Sequence, residues 1–334
     1  MLFVCCLSCQ PHKSNSSYFE INESGIKSGG IKLIPVETPK GKFHVWTKQV
    51  GNNPAIKVLL LHGGPACTHE YFESFESFFP KESIEFIYYD QLGSYYSDQP
   101  DDTSLWHVER FVEEVEQVRK ALGLNKDNFY LLGHSWGGIL AMEYALKYQD
   151  NIKGLIVSDM MASAPVYGKY AEEILSKGMD KASLDSVREM EAKGDFNNPR
   201  YMAILYTQHY EKHICRMPAD EWPDPVKRTF KHLNPVIYTQ MQGPSEFGIG
   251  GNLATWDVCA RLKEIKTPTL VIGANYDSMD PKYMEWMSKQ FPNGSYLYCP
   301  HGSHMCMWDD QQHFFPGLIK FLKAIDKGEK KITI

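Results

Sequence analysis

Three groups of residues in this 334-residue chain have the types and spacing for acyl transfer. The first is Gly133-His134-Ser135-Trp136-Gly137-Gly138, a serine between glycines in a G-x-S-x-G pattern. The apolar run Phe129–Leu132 precedes it and the amphipathic run Ile139–Leu146 follows, which reads as strand, tight turn and helix. In that setting the turn is a nucleophile elbow. It forces the serine into a strained backbone, and a Cβ at Gly133 or Gly137 would collide with the adjoining strand or helix. Ser135 Oγ is then raised above the sheet, with the Trp136 N–H aimed where an oxyanion forms.

A serine nucleophile needs a base within hydrogen-bond reach, and the base needs an acid to fix its tautomer. The loop Cys299–Met305 offers two histidines, His301 and His304, and the loop after Thr269–Gly273 offers two acids, Asp277 and Asp280. Spacing alone leaves both choices open. The third group is His62-Gly63-Gly64-Pro65-Ala66, which follows the buried strand pattern Ile56–Leu61. A glycine-rich turn there supplies a second oxyanion donor, the Gly64 N–H, alongside Trp136.

Positioning these loops requires a sheet. Ile31–Val36 and Phe43–Val50 read as an antiparallel pair joined at Pro39-Lys40-Gly41, and further strands are expected at Ile56–Leu61, Ile84–Tyr89, Ile152–Ser158, Thr269–Gly273 and Ser295–Cys299. Helical spacing of Val108, Phe111, Val112, Val115, Val118 and Leu122 places a helix within Ser104–Leu122. Strands alternating with helices imply a mostly parallel, doubly wound α/β sheet, with its core in residues 30–161 and 265–328. Residues 162–264 break that rhythm with several short helices rich in tyrosine, histidine and methionine. An insertion there lies above the carboxyl ends of the strands, where ligands bind, and reads as a helical cap.

Composition narrows the field. A net charge of −6, with 35 basic residues mixed among 41 acidic ones, offers no basic face for nucleic acid. No apolar run reaches the length of a spanning helix. The segment 1–29 is set apart: Met1–Gln10 is apolar, ends in Leu7-Ser8-Cys9, and gives way to polar residues. It resembles the end of a lipoprotein signal with Cys9 as the lipidated residue, which implies a bacterial envelope location; a frayed terminus on a cytoplasmic protein is the alternative. Cys215 and Cys259 are free to bridge only in an oxidising compartment. His209 and His213, at i and i+4, have zinc-compatible spacing but lack the H-E-x-x-H pattern, so they read as a structural or exposed pair.

With these residues assembled, the chain closely resembles the proline iminopeptidases (prolyl aminopeptidases), serine peptidases of the α/β-hydrolase fold, from about residue 30 to about 325. The likeness rests on His62-Gly63-Gly64-Pro65, Tyr89-Asp90-Gln91-Leu92-Gly93-Ser94, the serine motif, Gly243-Pro244-Ser245-Glu246-Phe247 and Gly302-Ser303-His304-Met305-Cys306-Met307-Trp308. It implies Asp277 as the acid, His304 as the base, and Glu246 as the carboxylate that binds the substrate's free amine. The implied activity is release of an N-terminal residue, preferentially proline, from short peptides or amides, with no cofactor or metal. Two departures bear on this. Ser278 stands where some members carry a second amine-binding glutamate, and Ala66 ends a turn that is usually H-G-G-P-G. One carboxylate anchors an amine less firmly than two, so an amino-acid amidase or small-ester hydrolase with the same triad is the rival reading. A non-catalytic binding protein on the same scaffold would be expected to have a broken catalytic set, and every member is present.

Overall fold

The computed structural model describes residues 30–330 and 332–334; Cys9 and its lipidation reading lie outside them. The expected hairpin opens the sheet: β1 (Ile31–Thr38) pairs antiparallel with β2 (Gly41–Val50) through a turn that sets Thr38 opposite Gly41. The strands β3 (Lys57–Leu61), β4 (Glu85–Asp90), β5 (Phe129–His134), β6 (Gly154–Ser158), β7 (Thr269–Ala274) and β8 (Gly294–Cys299) complete eight in the order β1-β2-β4-β3-β5-β6-β7-β8. β2 also runs antiparallel to β4, and the remaining neighbours are parallel. Because β3 lies between β4 and β5, the chain leaves it on one side and returns on the other. The carboxyl end of β3 is therefore a switch point, where such sheets bind ligands. There Leu61, at the end of β3, pairs with Gly133 of the serine motif.

Residue alternation on the strands divides the core in two. In β3, Val58 and Leu60 enter one apolar cluster while Leu59 and Leu61 enter the other. Helices α1 (Val108–Ala121) and α2 (Trp136–Tyr148) fill the second face through Phe111, Val115, Val118, Ile139 and Leu140. The helix expected within Ser104–Leu122 is α1, which begins at Val108 after a separate turn at Thr103–Leu105 capped by Asp102. Ile152 likewise stays out of β6, its N–H closing a turn onto the Gln149 carbonyl at 3.0 Å.

Between β6 and β7 the chain adds no strand to the sheet. It forms α3 (Ala164–Glu173), α4 (Lys181–Lys193), α5 (Pro199–Leu205), α6 (Glu211–His213), α7 (Asp224–His232) and α8 (Pro235–Met241). The side chains of Asp180, Asn198 and Asn234 cap α4, α5 and α8, and prolines start α5 and α8. A π-helical turn, Tyr206–Tyr210, separates α5 from α6.

This insertion is tied to the core on both sides of the serine. Arg228 of α7 forks onto Glu70 and Glu73, and Thr229 Oγ1 lies 2.8 Å from Thr68 Oγ1. Asn234 donates its N–H to the Ala66 carbonyl at 3.0 Å and its side-chain amide to Gly93 at 3.1 Å. On the other side, the N–H groups of His304 and Met305 donate to the carbonyls of His213 and Ile214 at 3.0 and 2.8 Å. The carboxyl-terminal half is completed by α9 (Pro281–Ser288), α10 (Cys306–Asp309) and α11 (Gln311–Asp326), whose Phe314, Phe315, Leu318 and Phe321 fill the first face. Cys215 and Cys259 are both free thiols, Cys259 Sγ lying 2.7 Å from the Tyr283 hydroxyl. No helix of the described residues is long and apolar enough to cross a membrane.

Candidate active site

The serine turn has the strain its sequence implies. Ser135 has φ 56° and ψ −128°, a conformation an L-residue adopts only when its surroundings impose it. Those surroundings are backbone. A Cβ at Gly133 would lie 1.9 Å from the Gly137 carbonyl oxygen, and one at Gly137 would lie 2.1 Å from that of Leu61. The glycines thus let β5, α2 and β3 meet at closer than side-chain distance, and only 7% of Ser135 is exposed.

Asp277 and His304 meet in the core. His304 Nδ1 is 2.8 Å from Asp277 Oδ1, so Nδ1 carries the proton and Nε2 is left as the basic nitrogen. Burial pushes the imidazolium pKa down, but the Asp277 charge and hydrogen bond outweigh it, and the His304 pKa is raised. The alternatives are engaged elsewhere. Asp280 accepts from the Lys282 N–H at 2.9 Å as the cap of α9, and His301 is exposed with its N–H on Asp310. Ser278 points its hydroxyl at Asp277 Oδ1, at 3.3 Å, rather than toward an amine.

The turn after β3 holds Gly64 at φ 110°, where a Cβ would come within 2.6 Å of the Cys67 nitrogen. Among the described residues neither the Gly64 N–H nor the Trp136 N–H has an acceptor, as a pair of oxyanion donors requires. Two neutral histidines brace this turn. His62 accepts from the Gln91 N–H at Nε2, 3.1 Å, so its Nδ1–H faces the Gly63 carbonyl at 2.9 Å; burial lowers its pKa to about 4. His134 donates from Nε2 to the His304 carbonyl at 2.7 Å, which makes its Nδ1 the acceptor for the Tyr71 hydroxyl at 3.0 Å. That hydroxyl in turn accepts from the Gly63 N–H at 2.6 Å. Tyr71, Gln91 and this role of His134 were not legible in the sequence, although His134 and Gln91 stand inside its motifs.

Asp159, at the end of β6, was also missed. It has φ 53° and is fully buried; Oδ2 accepts from Ser158 Oγ at 2.6 Å and from the Cys306 thiol at 3.2 Å. Burial first, and then the charge of Asp277, push its pKa well above the ordinary carboxylate value.

Glu246 comes from the insertion and is buried among tyrosines. Tyr238 donates to its Oε1 at 2.6 Å, Tyr210 Oη accepts its N–H at 3.0 Å, and Tyr167 donates to its carbonyl at 2.7 Å. Burial raises the Glu246 pKa, opposed by His304 and by the Tyr238 hydrogen bond. A carboxylate held in this way has one oxygen committed and the other available to a cation. His209 and His213 sit beside it: the His209 ring is fully buried, 5.2 Å from the rings of both Phe247 and His213. His213 Nδ1 pairs with the Tyr276 carbonyl at 2.9 Å.

Residues 57–177 match the family model for the alpha/beta hydrolase fold. Sheet order, serine turn and acid–base pair define the chain as an α/β-hydrolase. The match narrows further with individual relatives. A proline iminopeptidase of Flavobacterium johnsoniae is 63% identical over 90% of this chain and 100% of that protein, and one of Chitinophaga pinensis is 52% identical over 89% and 99%. The crystal structure of a proline iminopeptidase from Mycobacterium smegmatis superposes with a TM-score of 0.78 at 25% identity, covering 89% of this chain and 99% of that one. The chain belongs to the proline iminopeptidase family.

Proposed function

We propose that the protein is a serine aminopeptidase that releases an N-terminal residue, preferentially proline, from short peptides or amides, with the helical insertion as a cap over the serine. The observation that carries the reading is Glu246, a buried carboxylate held at Oε1 by Tyr238 and near enough to His304 for the His304 charge to oppose its pKa rise. A protonated amine enclosed there requires such a partner, and a blocked N-terminus does not supply the charge.

The steps follow from the residues. Ser135 Oγ attacks the scissile carbonyl as His304 Nε2 takes its proton, with Asp277 holding the imidazolium that forms. The Gly64 and Trp136 N–H groups take the oxyanion. His304 then protonates the leaving nitrogen, and water admitted to the acyl-enzyme repeats the sequence. Glu246 holds the substrate's first residue throughout, so its binding energy is available to orient the carbonyl. Peptides are the expected substrates. Because Ser278 is committed to Asp277 and only one carboxylate faces the amine, amino-acid amides are also expected to react. The test is a kinetic panel of proline, alanine and N-acetylproline anilides with an alkyl ester. Free proline anilide should lead, and Glu246→Gln should abolish its advantage over the blocked substrate. Equal turnover of the blocked anilide or the ester by the wild type would refute the assignment.

A further inference from the structure

The loop that carries His304 is fastened to the insertion through its backbone. The N–H groups of His304 and Met305 go to the carbonyls of His213 and Ile214, and the Ser303 N–H donates to Asp309 Oδ1 at 3.0 Å. The same carboxylate reaches the insertion. Asp309 Oδ2 accepts from the Arg216 N–H at 3.1 Å and from the Ser303 hydroxyl, whose oxygen also lies 2.9 Å from the Ile214 carbonyl. That hydroxyl has one proton, and the carboxylate is the stronger acceptor, so the proton goes to Asp309.

Residues 213–216 of the insertion grip the loop of the acid as well. His213 Nδ1 pairs with the Tyr276 carbonyl, and the Arg216 guanidinium lies 3.4 Å from the centre of the Tyr276 ring. Arg216 Nη1 also donates to the His301 carbonyl at 2.9 Å. Tyr276 precedes Asp277 and Ser303 precedes His304, so the 2.8 Å bond between Asp277 and His304 closes between two loops that share one brace. The other acceptors in that brace are backbone carbonyls. Asp309 is its carboxylate, and bonds to a charged acceptor are about twice as strong as neutral ones. Its charge is felt at His304: burial lowers the His304 pKa, Asp277 raises it most, and Glu246 and then Asp309 raise it further. The rings of His134 and His209 are the other titratable groups near His304.

We infer that Asp309 is a positioning residue for the base: by accepting from both Ser303 and Arg216 it holds His304 in register with Asp277. This rests on the triad of the reading above. The experiment compares wild type with Asp309→Ala, Asp309→Asn and Asp309→Glu. It measures the rate at which a fluorophosphonate labels Ser135, kcat and KM on proline anilide across pH, and the melting temperature. Alanine removes every acceptor, asparagine keeps one and sets an N–H against the Arg216 donor, and glutamate keeps the charge. In the Ala and Asn variants labelling rate and kcat are expected to fall at least about 10-fold, less than a 1 Å displacement costs, with KM within about 3-fold. Glutamate should recover part of the loss. The acid limb of kcat/KM should move to lower pH in the Ala and Asn variants, because a charge that raises the His304 pKa is gone. A residue that only stabilises the fold would leave that midpoint in place. Ser303→Ala, which removes the hydroxyl alone, decides the matter should the Asp309 variants not fold, and should slow labelling by about 3-fold or more. A lower melting temperature with labelling rate, kcat and midpoint unchanged would overturn the inference, as would a rise in KM alone. A wild type that is labelled but releases no proline would overturn the aminopeptidase reading and leave the labelling rates to judge Asp309. A wild type that is not labelled would overturn both.

Discussion

Gly137→Ala is the sharpest test of why the serine turn needs glycine. The added Cβ would stand 2.1 Å from the Leu61 carbonyl oxygen, 2.7 Å from its carbon and 3.0 Å from the His62 oxygen. All three atoms are backbone of β3 and its turn, at the centre of the sheet, so no side chain can swing aside. Even a contact of 3.0 Å requires α2 to withdraw by about 0.9 Å. Trp136 begins that helix and Gly64 lies two residues after His62, so the retreat separates the two proposed oxyanion donors and shifts Ser135. A displacement of about 1 Å costs on the order of 10²-fold in rate. Overpacking of this kind costs about 1–3 kcal/mol, which lowers Tm by roughly 2–6 °C in a chain of this size. Kinetics on proline anilide and a thermal melt give both numbers. Gly168→Ala provides the contrast: it lies within α3 with nothing inside 4 Å, so alanine should add about 0.5–1 kcal/mol through helix propensity alone. A Gly137→Ala enzyme with kcat within about 3-fold of wild type and an unchanged Tm would refute the steric account.

Asp277→Asn should keep the fold, as judged by circular dichroism, and lower kcat by about 10⁴-fold, the scale of losing the carboxylate that fixes the base's tautomer. The pH profile carries the same logic. As the proposed base His304 must be neutral, and its pKa is raised, so kcat/KM should climb with pH through a midpoint above that of an ordinary histidine. With Asp277 replaced by asparagine, burial dominates and the midpoint should move to lower pH; an unmoved limb would show that another group titrates. Tyr71→Phe strips partners from the Gly63 N–H and from His134 Nδ1. At about 1–3 kcal/mol for each buried group left unpaired, Tm should fall by several degrees and kcat more than KM. Unchanged calorimetry would remove Tyr71 from the network.

Much of the scaffold was readable because it depends on local signals. Period-two alternation and apolar runs located every strand to within a residue or two, and the glycines of the serine turn carried their steric reason with them. The choice between Asp277 and Asp280 was not readable, since both follow the same strand. Only the paths of the two loops decide that Asp280 turns back to cap α9 while Asp277 reaches His304. Long-range polar pairing was hidden for the same reason. On α1 the apolar stripe was plain, yet Arg110 and Glu114 are buried as well, because Glu114 meets Tyr89 and the Leu92 N–H from another part of the chain. Nothing in the spacing of His209 and His213 distinguishes a fully buried ring from a half-buried one.

The motifs that were legible one at a time prove to be one hydrogen-bonded assembly. Gln91, from the turn after β4, accepts the Trp136 indole N–H at 2.9 Å and donates to the His62 carbonyl at 3.0 Å. His134 then links the turn after β5 to the His304 carbonyl, and through Tyr71 to Gly63. The ring bonds of His62 and His134 each fix a tautomer, and each tautomer requires a neutral ring, which burial favours by lowering the pKa of both. Four loops from separate strands are thus held to one another through neutral imidazoles. In the proposed reading the Asp277–His304 pair serves the reacting bond and Glu246 the substrate's amine. If Glu246 binds the amine as proposed, the same serine chemistry is restricted to acyl groups beside a free amine by the insertion alone.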